Sequence, residues 1–188
     1  DHECKVMKAF RTFLVALNVT KSDVPYRRLV KWSTEAATQT VPGTNGWDET
    51  SSTNDAGEYE LREGENIVEG LPLGDTFMIY TENSCWQMSY VGTPFIFSFR
   101  LHDATVGALA KNCVAAFGGG HFIFGNGDLF INDGQRITTL LPHKLRDYIF
   151  TILDGEEVEK SFVFADYAKT EMLACFVSSD STTGQCDK

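Results

Sequence analysis

The chain has 188 residues, 43% of them hydrophobic and 22% charged, an ordinary globular mixture that excludes a disordered chain and leaves ample material for a core. No apolar run approaches the ~18 residues of a membrane helix, which argues against membrane insertion by this segment, and DHECKVMKAF at the N-terminus lacks the apolar core of a signal peptide. The formal net charge of -10 argues against a sequence-reading nucleic-acid binder, whose Lys and Arg would cluster to neutralise phosphates.

The first predicted element is a strand at Phe10–Val19, with "RRLVKWST" following beyond a turn at Lys21-Ser22-Asp23. Residues 34–66 are rich in Gly, Thr, Asn and acid and read as a long polar loop or pair of loops inserted between strands. Trp47, Tyr59 and Leu61 stand out among its apolar residues. They either pin the loop to its own domain or form a protein interface, since exposed aromatics are favoured where partners meet. Strands follow at Thr76–Tyr80 and Cys85–Tyr90, folding back at Glu82-Asn83-Ser84, and then at Phe95–Phe99, where Phe95, Phe97 and Phe99 alternate with Ser98 and Arg100 as on a strand with one wet face.

"ATVGALAK" is a short helical candidate. Behind it come "NCVAAF" and the glycine-rich stretch Gly118 to Gly134, which resolves into half-buried strands at His121–Phe124 and Leu129–Asn132. The turns are Gly125-Asn126-Gly127 and Asn132-Asp133-Gly134, where Gly and Asn reach positive φ cheaply. A phosphate-cradling loop is excluded there, because the lysine of a triphosphate loop and the third glycine of a dinucleotide loop are both missing. "LPHKLRDYIFTIL" repeats Leu141, Leu145 and Ile149 at helical spacing and predicts one or two helical turns. The last strands are Ser161–Phe164 and Met172–Val177, turning at Asp166-Tyr167-Ala168-Lys169, with "MLACFV" continuously apolar as for a strand covered on both faces.

Phe77, His121 and Ser161 occupy comparable places in three of these hairpin units and stand 44 and 40 residues apart. That spacing is near the ~40–50 residues of a β-propeller blade. Phe13 precedes Phe77 by 64, and the excess falls in the polar segment. The expected fold is therefore all-β, about four blades' worth of a larger β-propeller with a long polar loop insertion. The start without an initiator Met and the close at GQCDK read as a piece of a longer polypeptide.

Catalytic and metal patterns are missing from the sequence. His2, His102, His121 and His143 each stand alone, without paired-ligand spacing, and a lone histidine is more often a surface or satisfied structural residue. No G-x-S-x-G elbow occurs, and "DETSSTNDAGEYE" lacks acids at the alternate positions of a calcium loop. Five cysteines with no C-x-x-C pair suggest reduced thiols, with Cys113 and Cys175 buried in apolar runs. Asn18-Val19-Thr20 fits a glycosylation sequon, which carries no weight without a secretory signal. The expectation is a chain that is not an enzyme and holds no cofactor or metal.

The strings "GLPLGDTFMIY", "GALAKNCVAAFGGGHFIFGNGDLFINDGQ" and "SFVFADYAKTEMLACFVSS", with the closing "CDK", resemble the tail nozzle (tail tubular, or DNA-stabilisation) proteins of short-tailed, podovirus-type bacteriophages, and the likeness runs over nearly the whole chain. At "KWST", Thr34 and Glu35 depart from the Asp that such sequences often show after the Trp-Ser pair. The resemblance implies a structural virion component that forms a homo-oligomeric ring, a hexamer, at the distal end of the tail. Such a ring meets a tail adaptor ring and fibres or spikes, and lines a channel for double-stranded DNA that it does not bind sequence-specifically. It implies assembly in the host cytoplasm and no catalytic residues. The alternatives are a propeller-type glycan hydrolase and a monomeric protein-binding propeller; of Trp32, Trp47 and Trp86, only Trp47 is followed by the Asp of a Trp-Asp blade ending.

Overall fold

The computed structural model of the protein describes residues 2–37, 40–62 and 65–188. Tight turns fold successive strands back on one another. Phe10 pairs with Phe13 across Arg11-Thr12, Lys21 with Val24 across Ser22-Asp23, and Phe117 with Gly120 across Gly118-Gly119. Ser22 and Asp23 have φ of 47° and 67°, and the two glycines 61° and 83°, the doubly left-handed backbone whose twist suits a two-residue hairpin.

Among the described residues the result is four antiparallel sheets, none of them closed, each with its strands in chain order. The first holds β1 (His2–Phe10), β2 (Phe13–Lys21), β3 (Val24–Trp32) and β4 (Gly57–Glu60). The second holds β5 (Ile67–Leu73), β6 (Thr76–Thr81), β7 (Cys85–Tyr90) and β8 (Phe97–Asp103). The third holds β9 (Val114–Phe117), β10 (Gly120–Phe124), β11 (Leu129–Asn132) and β12 (Ile137–Thr139). The fourth is the hairpin of β13 (Phe162–Asp166) and β14 (Glu171–Cys175), reached through α1 (His143–Ile152). The chain is mostly β, as its alternating patterns predict.

The sheets pack face to face. Phe10, Phe13, Leu17, Val30 and Trp32 of the first meet Phe77, Ile79, Met88 and Phe97 of the second. The opposite face of the second, with Met78, Tyr80 and Cys85, meets Val114 and Ile123 of the third. Phe124 and Leu129 then pack with Val163, Phe176 and the helix residues Ile149 and Phe150. First strands run side by side through the stack, β1 beside β5, β5 beside β9, and β9 beside β13.

Several strands differ from expectation in physically informative ways. The stretch read as one strand through Phe10–Val19 is broken near its start, with Phe10 ending β1 and β2 beginning at Phe13, because Arg11, with φ 53°, makes a turn without Gly or Asn. The 34–66 segment, in which 38, 39, 63 and 64 lie outside the described residues, contains β4 as a regular edge strand on β3. Phe95 is 76% exposed and lies outside β8, in a loop closed by the Val91 amide donating to the Ile96 carbonyl, so it shares no face with Phe97 and Phe99. "ATVGALAK" is not helical; the amides of Ala108 and Leu109 bond Thr81 and Phe124 instead. "LPHKLRDYIFTIL" does form a helix, longer than one or two turns at ten residues. His121–Phe124 is dry on both faces, with Ile123 toward the second sheet and Phe124 toward the fourth. Conversely, β14 is not covered on both faces, since Leu173 is 37% exposed.

Of the repeat marks, Phe13, Phe77 and His121 all fall on the second strand of their sheets. Ser161 instead precedes the first strand of the fourth.

Candidate functional site

Three polar clusters organise the molecule, and each ties elements together. At the outer face of the first sheet, Lys31, only 3% exposed, pairs with Glu49 and lies 3.5 Å from Glu58. Lys21 bonds Glu58 and reaches Glu49 at 3.5 Å. The cluster fastens the loop carrying Glu49 to β2, β3 and β4. Partial burial alone would raise the Glu49 carboxyl, but the Lys31 hydrogen bond and the charges of Lys31 and Lys21 outweigh it and hold the group at about 2.

The same loop carries Trp47, which packs on Ala16, Val19 and Leu29. Tyr59, on β4, stacks on Phe99 with ring centroids 4.2 Å apart and planes 6° apart. Leu61 is 1% exposed in the core between the first two sheets. All three proposed interface residues thus make contacts inside this chain. Leu61 in particular is part of the core itself.

The second cluster is centred on Glu69 of β5, which is 1% exposed. Its Oε1 accepts from the Gly70 amide at 3.0 Å and lies 3.6 Å from Lys8 Nζ of β1. Its Oε2 accepts from the Asn112 amide at 3.2 Å, ahead of β9. One buried carboxylate therefore joins three sheets at their first strands. Sequence reading missed it, because a lone Glu in "IVEGLPL" reads as a break in an apolar pattern.

The third cluster lies between the second and third sheets. Tyr80 O–H meets His121 Nδ1 at 2.9 Å, His121 Nε2 meets the Pro72 carbonyl at 3.0 Å, and Asn132 Nδ2 donates to Tyr80 Oη at 3.0 Å. His121 is fully buried, and desolvation lowers its pKa against the opposing pull of the Pro72 bond. His121 is thus a satisfied structural residue with both ring nitrogens occupied. Burial pushes the Cys85 thiol well up and the Cys113 thiol up to about 12, so both are protonated and unreactive at neutral pH.

All five cysteines are free thiols, and Cys175 is half-buried where full burial was expected. The Asn18 amide of the sequon donates to the Ile67 carbonyl at 2.9 Å and is held in the sheet. Among the described residues no group of three or more His, Cys, Asp or Glu is arranged to hold a metal. Among the described residues one open cleft lies beside Tyr26, Arg27, Arg28 and Glu60, and another beside Thr34, Asn45, Asp48 and Asn54. In the first, Arg28 already pairs with Glu60 at 2.9 Å; in the second, Asp48 Oδ1 accepts from the Thr50 amide and hydroxyl. Neither brings a nucleophile, a base and an orienting group together. No family model and no curated protein matches the chain.

Proposed function

We propose that the chain is a run of β-propeller blades in a tail nozzle protein of a short-tailed phage, acting by assembly into a ring. The blade reading is carried by one observation: four-stranded meanders stack face to face with their first strands side by side, the arrangement expected when blades surround an axis. The nozzle reading is supported by the likeness of "GLPLGDTFMIY" and "GALAKNCV" to that family. In this reading the ring is a homo-oligomer, a hexamer, at the distal end of the tail, bound to an adaptor ring and to fibres or spikes. Its channel passes double-stranded DNA, and a net charge of -10 suits a surface along which DNA slides without sticking.

Trp47, Tyr59 and Leu61 have their contacts within the chain, so the ring contact is better sought on the outer face of β13 and β14, where Phe162, Phe164 and Leu173 are exposed. Electron microscopy of the purified protein tests the reading. Rings with a central channel are expected, and single particles at assembly concentrations would reject it. A catalysed glycan cleavage by the same sample would establish the hydrolase alternative.

A further inference from the structure

We propose that His121 is a pH-sensitive latch between the second and third sheets, closed while its imidazole is neutral and opened when mild acid protonates it. The hydrogen bonds dictate the closed state. The Pro72 carbonyl can only accept, so Nε2 carries the hydrogen and Nδ1 is the bare acceptor for the Tyr80 hydroxyl. Tyr80 Oη is then free to accept from Asn132, whose amide also points at Cys85 Sγ, 3.8 Å away. One imidazole thus links β5 and β6 to β10, and through Tyr80 to β11. Tyr80, Cys85, His121 and Asn132 are all fully buried, while Pro72 brings its carbonyl in from an exposed position on β5.

Protonation reverses one bond. Nδ1 becomes a donor facing the Tyr80 O–H, so the hydroxyl must turn its hydrogen away and accept from two groups at once. The imidazolium would also lack a counter-charge. Tyr80 and Cys85 are the titratable groups facing it from β6 and β7, and burial keeps both neutral. Asp103, at the end of β8, acts on Cys85 from behind it. On β5, Glu69 is bound to Lys8 and to backbone amides. β9, β11 and β12 carry no ionisable side chain, and Asp166 of β13 caps its own turn at Ala168 and Lys169. A buried cation without a partner is costly, so acid pulls toward states in which the two sheets part.

The sign follows from linkage. Burial depresses the folded-state pKa below the ordinary 6.5, so the latch stabilises fully above that value and progressively less as pH falls through it. The test is urea unfolding of wild type and His121→Gln between about pH 7.5 and about pH 5.5, where most carboxylates stay ionised. The wild-type unfolding constant should rise by up to about tenfold over that span, and the rise should be missing from the variant. An equal rise in both would overturn the latch. Should His121→Gln fail to fold, the C2 proton of His121 in wild-type protein gives the answer by nuclear magnetic resonance. It should keep its neutral shift until the protein opens. Titration near 6.5 with the fold intact would overturn the proposal.

Discussion

Gly107 has no room for a side chain. A Cβ there would stand 2.3 Å from the Thr81 carbonyl oxygen and 2.5 Å from the Asn83 nitrogen, both backbone atoms that cannot step aside without unlocking the turn after β6. Gly127 presents the opposite case, with nothing within 4 Å of a would-be Cβ but a φ of 91°, so its cost is conformational alone. Gly107→Ala is expected to destabilise by about 2–3 kcal/mol and Gly127→Val by about 1–2 kcal/mol, read as shifts in urea midpoints. The reverse order would contradict the packing at Gly107. Charge offers another residue-scale prediction. Glu49 is held below the ordinary 4.5, at about 2, so its pairing stabilises above pH 4.5 and fades as pH falls toward 2. Wild type should therefore exceed Glu49→Gln in stability near neutrality, and the two should converge at about pH 2. A gap that persists in acid would show that the Glu49 carboxylate charge is not what matters.

At the scale of elements, legibility depended on where polarity falls. Cys85–Tyr90 and Leu129–Asn132 were readable to the residue because turn residues bound them on at least one side, Glu82-Asn83-Ser84 before β7 and Asn132-Asp133-Gly134 after β11. β5 was not readable, since Glu69 and Gly70 break its apolar run. The carboxylate is satisfied by Lys8 and two amides, and Gly70 lies so close to Leu17 and Phe77 that a Cβ would approach them at 2.5 and 2.7 Å. Both features depend on neighbours far along the chain. His121 illustrates the same limit: its alternation with Phe122 reads as a wet face, whereas Tyr80 and Pro72 supply the partners that make it dry. The polar insertion behaves likewise, since its β4 is a short edge strand whose register depends on β3. Within it, Leu61→Ser should cost about 2–5 kcal/mol, as a buried cavity with an added hydroxyl. Trp47→Ser should cost less, because Trp47 is only partly buried over Ala16, Val19 and Leu29. Thermal unfolding followed by circular dichroism ranks the two, and equal losses would mean that Trp47 closes the first sheet as firmly as Leu61 fills the core.

At the scale of the whole molecule, the two ends of the stack differ in chemistry. The first sheet is capped by its own loop, with Lys31 buried under Glu49 and Trp47 laid on Ala16 and Val19. The fourth sheet has two strands where the others have four, and Phe164 stands opposite Leu173 with Phe162 beside it, rings 6.2 Å apart, on a face that this chain leaves open. Phe162, Phe164 and Leu173 are 36%, 45% and 37% exposed, and none of them belongs to the core clusters that hold the sheets together. In the assembly reading, contiguous exposed apolar side chains on a sheet face are where a neighbour binds, and each buried anchor can contribute ~2 kcal/mol or more there. The Phe162→Ser, Phe164→Ser, Leu173→Ser triple variant should therefore keep its β circular dichroism and a cooperative urea transition, while the sedimentation coefficient of any ring falls to that of a single subunit. Loss of the β signal would instead show that the face supports the hairpin of β13 and β14 itself. An unchanged ring with an unchanged signal would mean that assembly uses another surface.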